Sequence, residues 1–470
     1  MTQLISQMVV KAVRMSGQCL AWGLFPALLS GLLFFMGTSA SADDTGSATS
    51  GEEQPLTGIL RLADLIDDAY AHNPSIQRAR EAWKATVEDY RVTTGYPDPQ
   101  LMVTWFPEPI ETRLGPQDWN AQLSQMIPFP GKLSKVGELV AADARIARLR
   151  LDMAVKETIL AVQESYYELW YIRQAKTVTG QNARLLDHLR KISETAHADN
   201  RVTLTDVVKA QSQSGQLQYD ALLLEELEQT EITRLNGLLN RSPESAVGEL
   251  ETPALAPLAA DVETIYGLAE ANQEDILMAQ VGIDKGDTKV SLARFQNLPE
   301  FKVGLFYAGI GEPDVAMQPK DAGRDAIGLQ AGISIPLWFG RNNSRVDKAM
   351  AEKSMARAEK VVRVNAVRTK IRTLYFKARN AQRIVSLYET DLVPQAARSM
   401  EIAEVWYREG ESSFTDFIET QSVWYNFQLA LTRAKADYGI NLARLERMAG
   451  KRLTGDLAVS AEPAGGKEQP

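Results

Sequence analysis

Apolar residues recur at every third or fourth position from Lys132 to Asp199, a stretch that contains no proline. A similar run extends from about Arg341 to Glu409 and is interrupted only by Pro394. This spacing is that of a coiled-coil seam. At 1.5 Å per residue each run predicts a helix roughly 100 Å long, as a structure that crosses a wide aqueous compartment would need. The predicted seam positions are Leu139, Ala142, Ile146, Leu149, Met153, Leu160, Tyr167 and Trp170 in the first run and Ile371, Leu374, Ala378, Ala381, Val385, Tyr388 and Leu392 in the second.

Shorter helical segments flank the two long runs. Residues 203–239 and 413–449 each predict a return helix about half as long as the run before it. Residues 62–92 and 262–295 each predict one further helix, which supplies the other half of the return path. The proline-rich stretch 240–261 would then lie halfway along a rod.

Two other segments alternate with the period of two that a β-strand requires. In WNAQLSQMI (Trp119–Ile127) and IGLQAGISI (Ile327–Ile335), apolar side chains occupy one face and polar or small ones the other. LMVTWF (Leu101–Phe106) and FKVGLFY (Phe301–Tyr307) precede them as partner strands. About nine or ten such residues are typical of a transmembrane strand. A soluble hairpin with one buried face is the alternative, and the long helices favour the membrane.

The chain contains two copies of one plan, each about 200 residues long. VTLTDVVKAQS returns 210 residues later as SSFTDFIETQS, so that Thr205 and Asp206 correspond to Thr415 and Asp416. IPFPGK and IPLWFGR form a second repeated landmark at strand–helix junctions. Further matching pairs are Ile76 and Ile276, Ala79 and Ala279, Pro99 and Pro299, and Phe106 and Phe306. The separation between matching residues stays nearly constant along the chain. This regularity indicates one body built from two equivalent halves.

These patterns predict the following organisation. Residues 1–42 are a cleaved signal peptide and 43–57 a flexible segment. The first repeat, 58–242, holds a β-hairpin at 101–128, a long helix at 132–199 and a return helix at 203–239. A linker at 243–261 lies at the equator of the rod. The second repeat, 262–452, holds a hairpin at 300–337, a long helix at 341–409 and a return helix at 413–449, and 453–470 form a flexible tail.

The N-terminus has the features of a secretory leader. Lys11 and Arg14 precede an apolar run, and Ala-Ser-Ala at 40–42 suits cleavage. An uncleaved anchor is the alternative. Cys19 is the one cysteine of the chain and lies in this leader, so the exported protein would be stabilised by burial and assembly rather than by disulfides. Removing the two basic residues of the leader changes the formal net charge from −9 to −11, which argues against nucleic acid as a partner.

The strands also constrain assembly. Four strands cannot close around a lumen, and an unpaired strand edge in lipid costs several kcal/mol per backbone group. Several chains must therefore pool their strands. Two chains would form a filled eight-stranded barrel, whereas three would form twelve strands around a pore, which suits the polar inward faces.

Together these residues resemble the TolC-type outer-membrane efflux channel family. The resemblance covers essentially residues 58–452 and depends on the duplicated helix–strand–strand–helix plan. The motifs that support it are PDPQL (Pro97–Leu101), PFPGK (Pro128–Lys132), RVDKAMAEKSMARAE (Arg345–Glu359) and REGESSFTDFIETQS (Arg408–Ser422). The chain departs from the family at the first connection between a long helix and its return helix. There Asn200 occupies the position that corresponds to Gly410 in the second connection.

The resemblance implies a mainly α fold with a small β part. It implies a homotrimer in which each chain contributes four strands to a twelve-stranded outer-membrane β-barrel and long coiled-coil helices to a periplasmic α-barrel. The partners it implies are a periplasmic adaptor (membrane fusion protein), an inner-membrane pump of the resistance–nodulation–division type and outer-membrane lipid. The implied location is the outer membrane of a Gram-negative bacterium, and the implied cargo is metal or drugs.

The repeated motif marks the far end of the rod, where each long helix ends and its return helix begins. Thr203 with Asp206 and Ser413 with Asp416 predict capping boxes. Plain capping is the first interpretation. In a trimer the six turns would also form a ring that gates the entrance or contacts the adaptor. The residues assigned to this tip are Arg201, Thr205, Asp206, Arg408, Glu409, Glu411, Thr415 and Asp416.

Two further groups of residues follow from the strand pattern. The predicted lumen-facing residues of the barrel are Asn120, Gln122, Ser124, Lys302, Gln330 and Ser334. Aromatic and basic side chains at the strand–helix junctions suit the membrane interface, although aromatic packing within the chain is the alternative. These interfacial anchors are Phe129, Lys132, Trp338, Phe339 and Arg341.

Catalytic chemistry is not predicted. The sequence has no HExxH, GxSxG or glycine-rich phosphate loop, and His72, His188 and His197 are scattered. The thirteen methionines fit core packing better than copper binding. We therefore expect no enzyme, no cofactor and no metal site. The best interpretation is a passive exit duct of a tripartite efflux system. The alternatives are a type I secretion exit for polypeptides, a soluble periplasmic coiled-coil scaffold and a periplasmic enzyme.

Overall fold

The computed structural model describes residues 58–198, 203–315, 317, 319–409 and 411–454. The predicted signal peptide, the segment 43–57 and most of the predicted tail lie outside the described residues, as do Asn200, Arg201 and Gly410.

The elements follow one another twice in the same order. The first copy contains α1 (Leu62–His72), α2 (Pro74–Thr94), β1 (Gln100–Thr112), β2 (Gly115–Ile127), α3 (Lys132–Ala198) and α4 (Leu204–Leu238). The second contains α5 (Val262–Asn272), α6 (Glu274–Phe295), β3 (Glu300–Ile310), β4 (Ala326–Ser334), α7 (Phe339–Leu387), a π-helical turn (Tyr388–Leu392), α8 (Val393–Glu409) and α9 (Phe414–Ala449).

The segments predicted as single helices at 62–92 and 262–295 are each divided in two, which corrects the sequence prediction. Pro74 disfavours helical geometry in the residue before it, and Asn73 is extended while its side chain accepts from the amide of Ser75 at 2.9 Å. Gln273, 200 residues later, is also extended, and its side chain accepts from the amide of Asp275 at 3.2 Å. No proline marks this second break, so the break could not be predicted from the local sequence.

The long helix predicted at 341–409 contains a π-helical turn just before Pro394. Proline cannot donate to the carbonyl four residues earlier, and a wider turn relieves that conflict. The turn also explains the repeat register. The junction residues Lys132 and Arg341 are 209 apart, whereas the N-caps Thr203 and Ser413 are 210 apart. The second copy thus has one residue more between these landmarks, and a π turn holds one residue more than an α turn.

The helices pack side by side in two rows that share α3 and α7. In the row next to the sheet, the packing order is α2, α3, α6, α7. In the row toward the tip, α4 packs on α3, α3 on α9, and α9 on α7 and α8. Helices α2 and α4 therefore lie at one side of the described array and α7 and α8 at the other.

Two hydrophobic cores at the middle of the array are images of each other. One surrounds Leu65, Val162 and Leu235, and the other surrounds Ile265, Ile371 and Leu445. Each residue of the second set lies 200 to 210 positions after its counterpart, in the order given. A third core at the tip joins α3, α4, α8 and α9. The duplication predicted from the sequence is thus a duplication of packing as well.

Both predicted seams are only partly correct. In the second run Ile371, Leu374, Ala378 and Ala381 are buried as predicted, whereas Val385, Tyr388 and Leu392 are only partly buried. In α3 the buried residues include Val162 and others outside the predicted stripe. Because α3 contacts neighbours on both of its sides, it buries two stripes, and a single 3,4 pattern detects one of them. Among the described residues, no helix combines the length and the apolar character needed to span a membrane.

We predict that Gly439→Ala destabilises the fold. A Cβ at Gly439, on α9, would overlap the ring of Tyr167 on α3. Overpacking of this kind costs about 1–3 kcal/mol. Thermal unfolding followed by circular dichroism in detergent measures the effect. Gly237→Ala is the control because no atom beyond the neighbouring residues and backbone of its own helix lies within 4 Å of the position that its new methyl group would occupy, and this change should stabilise α4 by up to about 1 kcal/mol. Equal melting temperatures for both variants would contradict this account of the α3–α9 contact.

Candidate functional site

The strands form one antiparallel sheet in the order β1-β2-β3-β4. Residues directly opposite each other in such a sheet point to the same face. Ser124 pairs with Gly304, which pairs with Gln330, and Met126 pairs with Lys302, which pairs with Gly332. With the alternation along each strand, this register places all the residues predicted to line the lumen on a single face, which we call the polar face. They are Asn120, Gln122, Ser124, Lys302, Gln330 and Ser334.

A side-chain bond crosses the polar face between strands that are not neighbours. The Gln122 amide on β2 donates to the side-chain oxygen of Gln330 on β4. Gly304 lies between them on β3, and a Cβ there would approach the Gln330 oxygen to 3.5 Å. The missing side chain at Gly304 therefore leaves room for two glutamines to meet. The bond connects β2 with β4 across the polar face.

The opposite face of the sheet is apolar and exposed. Leu329 is 87% exposed and Ile327 is 78% exposed, although both are large hydrophobic residues in a regular strand. Further exposed members are Leu101, Val103, Trp105, Leu123, Val303, Leu305 and Ile333. A face of this extent is more than a monomeric soluble protein usually leaves in water. Within the described chain, β1 and β4 each have one edge that no other strand pairs.

The junction residues divide into two groups. Lys132 forms an ion pair with Glu300 at the start of β3, and Phe129 stacks on Phe301 with ring centroids 6.4 Å apart. These two contribute to packing within the chain, the alternative considered from the sequence. Trp338 and Phe339 are 71% and 73% exposed. Arg341 is also exposed. An anchoring role in lipid therefore remains a prediction and fits this second group best.

The capping boxes predicted at the tip are present in both copies. The hydroxyl of Thr203 accepts from the amide of Asp206 at 3.4 Å, and that of Ser413 accepts from the amide of Asp416 at 3.1 Å. Each carboxylate in turn accepts from the N-cap amide at 3.3 Å. The structure thus assigns Asp206 and Asp416 a definite role as helix caps.

The other tip residues are not gathered into one cluster within the chain. Arg408 forms an ion pair with Glu404, one turn back on α8. Glu409 and Glu411 are exposed, and Arg201 lies outside the described residues. Lys209 donates to the hydroxyl of Thr415 at 3.1 Å and so connects α4 with α9.

An open groove of about 590 Å³ lies beside this contact. The first turns of α4 and α9 form its walls. Leu204, Thr205, Val208, Lys209, Ser212, Gln213, Thr415, Ile418 and Glu419 line it. The groove is a mixed apolar and charged surface at the tip, suited to a side chain or helix of another protein.

Sequence reasoning missed two buried polar contacts between α3 and α9. The Gln421 amide donates to Asn182, and the hydroxyls of Thr179 and Tyr425 are 3.0 Å apart. All four residues are buried. Gln421 belongs to the repeated Gln-Ser pair, and its position in a helical seam was the available signal. What could not be read from one sequence was which helix would lie opposite.

A half-buried arginine joins the same two helices nearer the middle of the rod. Arg433 on α9 donates to Glu168 on α3 at 2.7 Å and to Asp437 at 2.5 Å. It also lies over the ring of Tyr171 at 4.7 Å from the centroid. Burial lowers the pKa of Arg433, but its hydrogen bonds to Asp437 and Glu168 outweigh that effect, so the pKa is raised overall. The guanidinium is therefore a permanent charged link between α3 and α9.

Metal-binding geometry does not occur in the part of the chain that the structure describes. No group of three or more histidine, cysteine or acidic side chains there could hold an ion. His72 contacts Asp68 at 2.7 Å, and His188 is exposed on α3, so these two histidines do not share a site. The side chain of His197 lies outside the described set.

Comparisons with known proteins agree with this architecture. Residues 265–451 match the model of the outer membrane efflux protein family. No curated protein sequence matches the chain. The outer membrane protein VceC of Vibrio cholerae superimposes with a TM-score of 0.68 at 19% identity, covering 83% of this chain and 96% of that one.

Two other solved structures are similar. A membrane protein from Pseudomonas aeruginosa superimposes with a TM-score of 0.70 at 15% identity, covering 83% of this chain and 93% of that one. The outer membrane channel CmeC of Campylobacter jejuni superimposes with a TM-score of 0.64 at 15% identity, covering 91% of this chain and 96% of that one. The predicted fold class, mainly α with a small β part and long helices, is confirmed by these likenesses, and the predicted resemblance is confirmed by the family match over the second copy.

We predict a coupling between Asn182 and Gln421 in a double-mutant cycle. Either Asn182→Leu or Gln421→Leu leaves one buried amide without its partner, which costs about 1–3 kcal/mol. The double variant removes both polar groups, so it should be more stable than the sum of the single losses. Denaturant unfolding of the detergent-solubilised protein measures the cycle. Strictly additive losses would show that the two amides act independently.

Proposed function

We propose that this protein is the outer-membrane exit duct of a tripartite efflux system. Three copies would join their four-stranded sheets into a twelve-stranded barrel, with the polar face inward and the apolar face toward lipid. The long helices would form a tunnel through the periplasm. The duct would be passive, since an open path and a gate are all that such a protein requires.

One observation carries this proposal. The chain presents a regular four-stranded sheet with an exposed apolar face, an opposite polar face and two open edges. Open edges in lipid are prohibitive, so the sheet must close with copies of itself. The same face argues against a soluble periplasmic scaffold, which would expose Leu329 and its neighbours to water. The family match of residues 265–451 supports efflux as the process.

The tip would receive the partners. The groove between α4 and α9 offers a contact surface for a periplasmic adaptor, which would connect the duct to an inner-membrane pump of the resistance–nodulation–division type. Metal ions or drugs are the cargo that we propose on the basis of the family resemblance. An exit for secreted polypeptides would use the same geometry. The identity of the pump encoded nearby would distinguish the efflux of metal ions or drugs from the export of polypeptides.

The assembly can be tested directly. We expect a trimer that is extracted only with detergent and forms pores in planar bilayers. Light scattering in detergent measures the copy number, and conductance measures the pore. A stable monomer in detergent-free buffer would refute the duct.

The assignment of the two sheet faces generates a matched pair of variants. Leu329→Arg places a charge on the apolar face and should cost about 2–4 kcal/mol near the bilayer midplane. Gln330→Arg changes the next residue, on the polar face, and should leave assembly intact while altering conductance. The yield of detergent-extracted trimer and the single-channel conductance measure the two effects. Equal loss of trimer in both variants would show that the faces are wrongly assigned.

A second pair of residues tests the proposed gate at the tip. If Asp206 and Asp416 act only as caps, replacing both by asparagine should cost some tenths of a kcal/mol, because asparagine also caps helices. If they also form ion pairs with Arg201 or Arg408 across the ring of tips, each lost pair removes about 0.2–1 kcal/mol of closure. We expect the Asp206→Asn, Asp416→Asn double variant to form normal trimers that conduct more in low salt, with a smaller increase in high salt. Unchanged conductance at low salt would show that both residues only cap helices and do not contribute to a gate.

A further inference from the structure

The polar face of the sheet carries little charge. Where the register of the four strands is unbroken, its members are neutral except for Glu300 and Lys302 at the start of β3. Glu300 is already paired with Lys132. Lys302 is exposed and forms no ion pair with any residue that the structure describes. One positive charge per chain is therefore left unbalanced on this face.

The residues beside Lys302 do not neutralise it. Met126 lies opposite it on β2, and Gly332 lies opposite it on β4. A Cβ at Gly332 would stand 3.7 Å from the Cβ of Lys302, so the glycine leaves the space beside the lysine stem open. The stem is flexible and carries a compact, strongly hydrated charge at its end. The ammonium group is thus free to project from the sheet into water.

The internal repeat shows that the charge occurs once in each chain. At the offset of 200 that relates Pro99 to Pro299, the counterpart of Lys302 is Met102. Met102 also lies on the polar face, opposite Gln122, and is 57% exposed. An exposed methionine thus occupies the equivalent position of the same plan. The packing of the strand does not require a lysine there, so the charge needs another explanation.

We infer that Lys302 makes the barrel selective for anions. In the proposed trimer, three ammonium groups surround the lumen near the junction of barrel and helices. Twelve strands spaced about 4.8 Å apart and tilted by about 40° give a backbone radius of about 12 Å. The Debye length is about 10 Å at 0.1 M salt, so the potential of the three charges extends across much of the lumen. This potential concentrates anions in the barrel and repels cations.

The inference rests on the proposed trimeric channel and specifies the charge of the solutes that pass it most readily. Lys302 acts on these solutes through its potential and does not hold them in a fixed site. Among the proposed cargoes, the barrel favours anionic compounds and disfavours free metal cations.

Reversal potentials in planar bilayers test the inference with chloride and potassium as probes. Lys302→Met introduces the residue that the first repeat has at this position. In a KCl gradient near 0.1 M, we expect the ratio of chloride to potassium permeability to fall about threefold. The fall should be smaller near 1 M, where the Debye length is about 3 Å. Lys302→Arg keeps the charge and should keep the wild-type ratio.

Two further variants distinguish the position of the charge from the net charge of the protein. Lys451→Met removes an exposed lysine just after α9, beside the core around Ile265, and should leave the ratio unchanged. The Lys302→Met, Met102→Lys double variant moves the charge to the equivalent strand of the same face and should restore the ratio toward the wild-type value. Lys302→Gln is a second neutral variant for use if methionine lowers the yield of trimer.

The outcomes separate the inference from the proposed function. Pores with the same permeability ratio in the wild type and in the neutral variants of Lys302 overturn the inference and leave the duct standing. An equal fall in Lys451→Met also overturns it, because net charge would then be the cause. A wild-type protein that forms no pores overturns the duct itself.

Discussion

The unpaired edges of β1 and β4 are the constraint on which the rest of the proposed assembly depends. Backbone amides and carbonyls at a strand edge must find partners, and lipid supplies none. A chain with four strands therefore cannot complete its own barrel. The side helix α4 also leaves large apolar residues uncovered within the chain, since Leu204 and Leu222 are 62% and 72% exposed.

The duplicated plan gives the chain two halves with matching contacts. The cores around Leu65 and Ile265 show that each copy makes the same equatorial contacts. The joint between α3 and α9 contains contacts that the repeat does not copy, namely Asn182 with Gln421 and Arg433 with Glu168. The buried amides of Asn182 and Gln421 destabilise misaligned packing, because an unpaired amide costs more than a paired one contributes. We attribute the fixed register of the long helices along the rod to these pairs.

Much of the fold could be predicted from local pattern. The 3,4 spacing around Ile371 identified the buried stripe of α7, and the alternation in Ile327–Ile335 identified the two faces of β4. Thr203 with Asp206 and Ser413 with Asp416 identified both capping boxes. These features depend on residues a few positions apart, and such local geometry is what periodicity and capping preferences report.

The sequence by itself determined the two long helices, the strands, their faces and the repeat, because each follows from spacing along one segment. The tertiary structure decided which of two equivalent positions is buried, since Gln421 and Gln211 differ in their neighbours and not in their motif. It also decided that Lys132 pairs with Glu300, 168 residues away, and that a helix breaks at Gln273 without a proline. These features depend on which segments meet across the fold, and no local pattern contains that information.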